Sequence, residues 1–142
     1  MKTAIISIAA ILIGSGFLQA GFSERKLQSA IASATKSGKL IAFVFYQDYA
    51  LPNCPKCITT TDANNKAIKD AIPRPDVVVI EIDPGDKDLD KLPAAVGGKG
   101  SAPRIVVTDA QATKVIATAK GAPDREAAKE MKNLVKKALP GA

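Results

Sequence analysis

Both cysteines of this 142-residue chain stand in one stretch, LPNCPKCITTTD, residues 51–62, with Pro55 and Lys56 between Cys54 and Cys57. A C-x-x-C spacing suits three kinds of chemistry: reversible thiol–disulfide exchange, thiolate ligation of a metal, or a structural cross-link. Structural zinc wants four ligands, and the chain offers two cysteines and no histidine. Copper(I), which favours thiolates, stays open as a clip held by two sulfurs. Without histidine, hydrolase triads built on an imidazole base are excluded. The run Asp86-Lys87-Asp88-Leu89-Asp90 lacks the glycine and distal glutamate of an EF-hand loop and reads as solvated charge. Gly97, Gly98 and Gly100 neither follow a strand nor open a phosphate-binding helix, so a nucleotide loop is not expected.

The first twenty residues, MKTAIISIAAILIGSGFLQA, have the layout of a secretory signal peptide. Lys2 supplies the charged start, Ala4 to Ile13 the apolar run, and Ala20 the small residue before the cut. That run is much shorter than the roughly 20 residues of a membrane span. Residues 1–20 are therefore expected to leave, and residues 21–142 to form one domain with one hydrophobic core. Neither cysteine lies near the cut, so both belong to the exported domain, in a compartment where disulfides form and persist. A small exported domain stapled by disulfides would use more cysteines and spread them. The net charge of +6 falls to +5 once Lys2 goes, and many lysines have acidic neighbours. With four phenylalanines, two tyrosines, no tryptophan and no basic cluster, a nucleic-acid surface is not expected.

Several elements must carry the cysteines. Ser23 can cap a helix to about Ser37, stopped by Gly38, with Leu27, Ala30, Ile31 and Ala34 on one face. Leu40 to Tyr46 is continuously apolar, the pattern of a strand buried on both faces. After a loop from Gln47 to Asn53, the cysteines open a second helix, with Pro55 in its first turn. Ile58, Asn65, Ile68 and Ile72 lie along one side of it, and Pro73 and Pro75 end it. Val77 to Ile82 is a second strand of the buried type, and the polar stretch that follows holds a short helix through Leu89, Leu92 and Val96. Arg104 to Thr108 and Lys114 to Lys120 form a hairpin broken by Gly121, and Asp124 caps a last helix to Leu139. Its Ala128, Met131, Val135 and Ala138 repeat at helical spacing, so Met131 is assigned to the core rather than to a metal. Such an order demands a mixed sheet with helices on both faces.

With the cysteines so placed, the chain resembles the thioredoxin-like superfamily from about Phe22 to Leu139. Three features carry the likeness: Cys54-Pro55-Lys56-Cys57 at the start of a helix after a buried strand, Ala102-Pro103 just before the hairpin, and Gly121 leading into the closing helix. The resemblance implies a three-layer α/β/α sandwich around a mixed sheet of four or five strands. It makes Cys54 the nucleophile, Cys57 the resolving thiol and Cys54–Cys57 the disulfide. It also puts a cis peptide bond at Pro103. Ala102, Pro103, Tyr49, Pro55 and Lys56 would line the groove for substrate. No cofactor or metal is implied. The physics agrees on the nucleophile, because a helix N-terminus presents unpaired N–H groups and partial positive charge that favour a thiolate.

The departures concern redox direction. No tryptophan flanks the cysteines, and Leu40 to Tyr46 contains no counterpart of the buried acid that thioredoxins keep in that strand. Tyr49 is expected in the tryptophan's space, and Asp48 is read as an ordinary loop aspartate rather than a substitute acid. The expected function is an exported thiol–disulfide oxidoreductase, a monomer in a bacterial periplasm. Its partners would be cysteine-containing exported proteins and a redox donor or acceptor, with no nucleic acid and no membrane span after cleavage. Two alternatives stay open: an interaction domain with an inert disulfide, and a copper(I)-binding module.

Overall fold

The structure, a computed structural model, describes residues 22–48, 53–83, 85–97 and 102–142. The expected leader over residues 1–20, and also Tyr49, Gly98 and Gly100, lie outside the described residues.

Leu40–Phe45 (β1) is the strand from which the rest is built. It pairs in parallel with Val77–Ile82 (β2) and antiparallel with Arg104–Thr108 (β3), which pairs antiparallel with Val115–Lys120 (β4). The sheet order is β2-β1-β3-β4, so among the described residues the mixed sheet has four strands. Every residue of β1 is buried, as its unbroken apolar run predicts for a strand covered on both faces. Its side chains alternate between two cores. Leu40, Ala42 and Val44 enter one with Ile68 and Ala71 of Pro55–Ala71 (α2) and Met131 and Val135 of Arg125–Ala138 (α3). Ile41, Phe43 and Phe45 enter the other with Leu27, Ala30 and Ala34 of Glu24–Ser37 (α1). Helices on both faces of one sheet make the α/β/α sandwich.

The helix ends follow their side-chain chemistry. Ser23 Oγ accepts the Lys26 N–H at 3.2 Å to cap α1, and Gly38 closes it in the left-handed region at φ 66°. Asp124 Oδ1 accepts the Ala127 N–H at 2.8 Å to cap α3. Among the described residues no helix is long and apolar enough to cross a membrane.

Three sequence expectations change. The short helix through Leu89, Leu92 and Val96 is a single 3-10 turn, Leu89–Lys91 capped by Leu92, because Pro93 comes next and has no N–H to continue it. Leu89, Leu92 and Val96 still pack into the α1 core. The second strand is not covered on both faces like β1. It is a sheet edge with Val78 and Val79 half-buried and Glu81 exposed, a position that an apolar run alone cannot reveal. Asp86 is more than solvated charge, since its Oδ2 accepts the N–H of Phe22 at 2.6 Å and of Asp83 at 2.9 Å.

Candidate functional site

Cys54 is the N-cap of α2, extended at φ −110° and ψ 100°, and its carbonyl accepts the first helical bond from the Ile58 N–H at 3.0 Å. Its Sγ accepts the Cys57 N–H at 3.2 Å, the place an oxygen fills at the other two helices. Pro55 sits in the first turn, where a missing N–H leaves nothing unsatisfied. One turn on, Cys57 returns beneath Cys54: the two Cα atoms are 5.2 Å apart and the sulfurs are joined in a disulfide. Both cysteines are half-buried, and Pro55 and Lys56 between them are exposed. The threonines that follow are poor helix formers, and two of them bond back to the preceding turn. Thr59 Oγ1 and Thr60 Oγ1 each donate back to the carbonyl four residues earlier, at 3.0 Å.

β1 delivers the chain to this helix. Beyond its last paired residue the Tyr46 N–H still donates to Ile82 O at 3.2 Å. Gln47 is then held by α2 itself, with its N–H donating to Asn65 Oδ1 at 2.8 Å and its carbonyl accepting from Asn65 Nδ2 at 2.9 Å. Tyr46 Oη donates to Glu81 Oε1 at 3.0 Å, and burial first, then that bond, pushes the phenol up to about 12.

The Ala102–Pro103 peptide is cis. Pro103 is buried, Ala102 is exposed, and Pro103 O accepts the Gly121 N–H at 2.9 Å. Gly121 adopts φ 69°, a conformation a side chain would strain, so the glycine before α3 also secures the segment ahead of β3. In the β1–β3 register Phe45 faces Arg104, so the cis bond lies at the end of the sheet where β1 runs out toward the cysteines. The Arg104 guanidinium lies 3.9 Å from the centroid of the Phe45 ring, and burial lowers its pKa from the ordinary value.

Cys54, Pro55, Lys56 and Cys57 stand together at one helix start, and Ala102 and Pro103 stand just before β3, at the end of the sheet where β1 runs out. Tyr49 falls outside the described residues. Three residues here carry no role in the sequence reading: Gln47, Asn65 and Arg104. For Asn65 a signal was present, a carboxamide on the side of a helix otherwise marked by Ile58, Ile68 and Ile72. For Arg104 there was none, because a charge opening a strand reads as exposed.

No family model matches the chain, and no curated protein matches it. Among solved structures it is similar to a poplar thioredoxin h mutant, at 15% identity and a TM-score of 0.56, over 84% of this chain and 82% of that one. It is also similar to a disulphide isomerase from Xylella fastidiosa Temecula1, at 20% identity and a TM-score of 0.47, over 85% of this chain and 94% of that one. With a mixed four-stranded sheet and three α-helices among the described residues, and a C-x-x-C disulfide at the start of the helix after the central strand, the chain has the thioredoxin-like fold.

Proposed function

We propose that this chain is an exported thiol–disulfide oxidoreductase acting on protein cysteines. The observation that carries the reading is the Cys54–Cys57 disulfide across the first turn of α2, with Cys54 Sγ on the Cys57 N–H. In the reduced protein the same N–H and the helix's positive end stabilise a Cys54 thiolate. That thiolate attacks one sulfur of a partner disulfide. The Cys54–partner bond forms, the partner's S–S bond breaks, and the partner's other sulfur leaves as a thiolate. Cys57, once deprotonated, attacks Cys54 Sγ and releases the partner as a dithiol. Two electrons pass to the partner, two protons follow them, and Cys54–Cys57 is the oxidised product. The reverse sequence oxidises a partner dithiol, and the reduction potential decides which runs.

Exposed Pro55, Lys56 and Ala102 and buried Pro103 are the residues that would line the docking groove for a partner cysteine. The mature protein is read as residues 21–142 on the charge and hydropathy of its first twenty residues, and the bacterial periplasm rests on that layout together with the thioredoxin-like resemblance.

The test is an equilibrium titration of the purified protein in glutathione or dithiothreitol buffers, free of metal, with thiols counted at each ratio. A reversible two-electron transition between about −120 and −270 mV, the span of working exchange proteins, is expected, and its position gives the direction. A disulfide that resists reduction far below that span would sink this reading in favour of an inert interaction domain. Thiols that never pair would point to copper(I).

A further inference from the structure

Asn65 stands eleven positions after Cys54, about three helical turns, so it lies on the same side of α2 as Cys54 and as buried Thr61 and Ile68. A half-buried carboxamide on that side needs partners, and it finds both in one residue. Its Oδ1 accepts the Gln47 N–H at 2.8 Å and its Nδ2 donates to the Gln47 carbonyl at 2.9 Å. Asn64 Nδ2 adds a bond to Gln47 Oε1 at 3.1 Å.

The location gives this clamp its meaning. Gln47 follows Tyr46, the last residue of this run that the sheet still bonds. Continued two residues past Phe45–Arg104, the β1–β3 register would set Gln47 opposite Ala102. The Asn65 carboxamide takes both backbone groups that such a rung would use. The connection to the nucleophile is therefore tied at Gln47 to the very helix that Cys54 begins.

We propose that Asn65 is a positioning residue for the Cys54 thiolate, a role that rests on the exchange reading above. Holding Gln47 limits where the chain can enter α2, which keeps Cys54 extended at the N-cap with its sulfur on the Cys57 N–H. Without the clamp the entering segment gains freedom and Cys54 leaves that position part of the time. Its thiolate then loses the donor that stabilises it.

The experiment compares wild type, Asn65→Ala, Asn65→Asp and Asn64→Ala in the reduced protein. Asn65→Asp keeps the acceptor for the Gln47 N–H and loses the donor, so it serves if Asn65→Ala does not fold. The readouts are the pH profile of Cys54 alkylation by iodoacetamide, hydrogen exchange at the Gln47 amide, and the rate of exchange with oxidised glutathione. Asn65→Ala should expose the Gln47 amide, Asn65→Asp should free the Gln47 carbonyl while keeping most of the protection at the amide, and both should move the alkylation midpoint to higher pH. Asn65→Ala should slow exchange at pH 7 by about tenfold, equivalent to about 1.4 kcal/mol on the barrier. Asn64→Ala, which loses only a side-chain contact, should keep the wild-type alkylation profile. An unchanged profile despite a freed Gln47 amide would make the clamp merely structural and overturn the proposal. So would a Gln47 amide unprotected in wild type. If wild type exchanges with no disulfide, the oxidoreductase reading fails, while the alkylation comparison still decides the positioning.

Discussion

Cys54 and Asp124 hold the same station on two helices that pack against one face of the sheet. At each, a side chain accepts the N–H three residues on, from Cys57 at 3.2 Å and from Ala127 at 2.8 Å, and the carbonyl accepts the N–H four residues on at 3.0 Å. The surroundings differ. α3 has Glu126 in its first turn beside the Asp124 carboxylate, and α1 has Glu24 beside Ser23, whereas the first turn of α2 holds no acid. Negative charge at a helix start is stabilising, so α1 and α3 have their positive ends compensated by residues that never change. The α2 end is left to a sulfur whose charge depends on its redox state. Stability is settled at two helix starts and reactivity is kept at the third.

The largest effect should come from removing that sulfur. Cys54→Ser supplies a better cap oxygen and abolishes exchange, with no detectable reduction of a model disulfide. Cys57→Ser should still attack and then stall, leaving a mixed disulfide on Cys54 visible by mass spectrometry until a reductant is added. Exchange surviving in Cys54→Ser would remove the distinction between the two helix starts. Smaller is the loss of the permanent cap. Asp124→Ala should cost about 1 kcal/mol in a denaturant titration and leave the reduction potential of Cys54–Cys57 where it was. A potential that moved would mean that the two ends are coupled through the shared core.

Smaller again is the effect of making α2 resemble its neighbours. Lys56→Glu puts an acid in the first turn of α2, on an exposed position. A charge there is worth about 0.3–1 kcal/mol, so the Cys54 alkylation midpoint should rise by about half a pH unit. The expected shift shrinks as salt is added, and a shift that persists at high salt would have another origin.

How much of this was legible beforehand depends on whether a property belongs to a segment or to an arrangement. The Ser23 and Asp124 caps, the Gly38 stop, β1 and the C-x-x-C helix start follow from local chemistry, and the structure has them where the sequence put them. The missing acid in the first turn of α2 was legible too, as a plain fact of CPKC. The clamp at Gln47 was not. It joins residues 18 positions apart, and nothing in Gln47 signals that its backbone leaves the sheet there. The place of Arg104 was not legible for the same reason: its contact with Phe45 exists only because the β1–β3 register sets the two side by side. The edge position of β2 is likewise a property of the sheet order.

The turn between β3 and β4 offers a reference for what backbone donors do to an acid in this protein. Asp109 Oδ1 accepts the N–H of Thr113 at 2.7 Å and of Lys114 at 3.2 Å, and Oδ2 accepts the Thr113 hydroxyl at 2.7 Å. Burial works to raise its pKa, but the bonds from Thr113 and Lys114 outweigh it and hold the carboxyl below the ordinary value of 3.8. Asp83 goes the other way, raised first by burial and then by the charges of Asp86 and Glu81. The signs at acid pH follow. A depressed carboxyl stabilises the fold above its unfolded pKa, and that contribution is lost as pH falls through the lower folded value. A raised carboxyl does the reverse, so acidification relieves Asp83 while it costs the turn at Asp109. Asp109→Asn should therefore flatten the loss of stability below about pH 4, near the unfolded Asp value, followed as the denaturant midpoint against pH. Asp83→Asn should instead act above about pH 4, removing the small relief that acidification brings there. Should Asp109→Asn leave the acid limb unchanged, the backbone N–H groups of Gln111, Thr113 and Lys114 and a hydroxyl would not suffice to hold an anion here. A single N–H on Cys54 Sγ could then not be credited with holding the thiolate, and the positive end of α2 would have to do so alone.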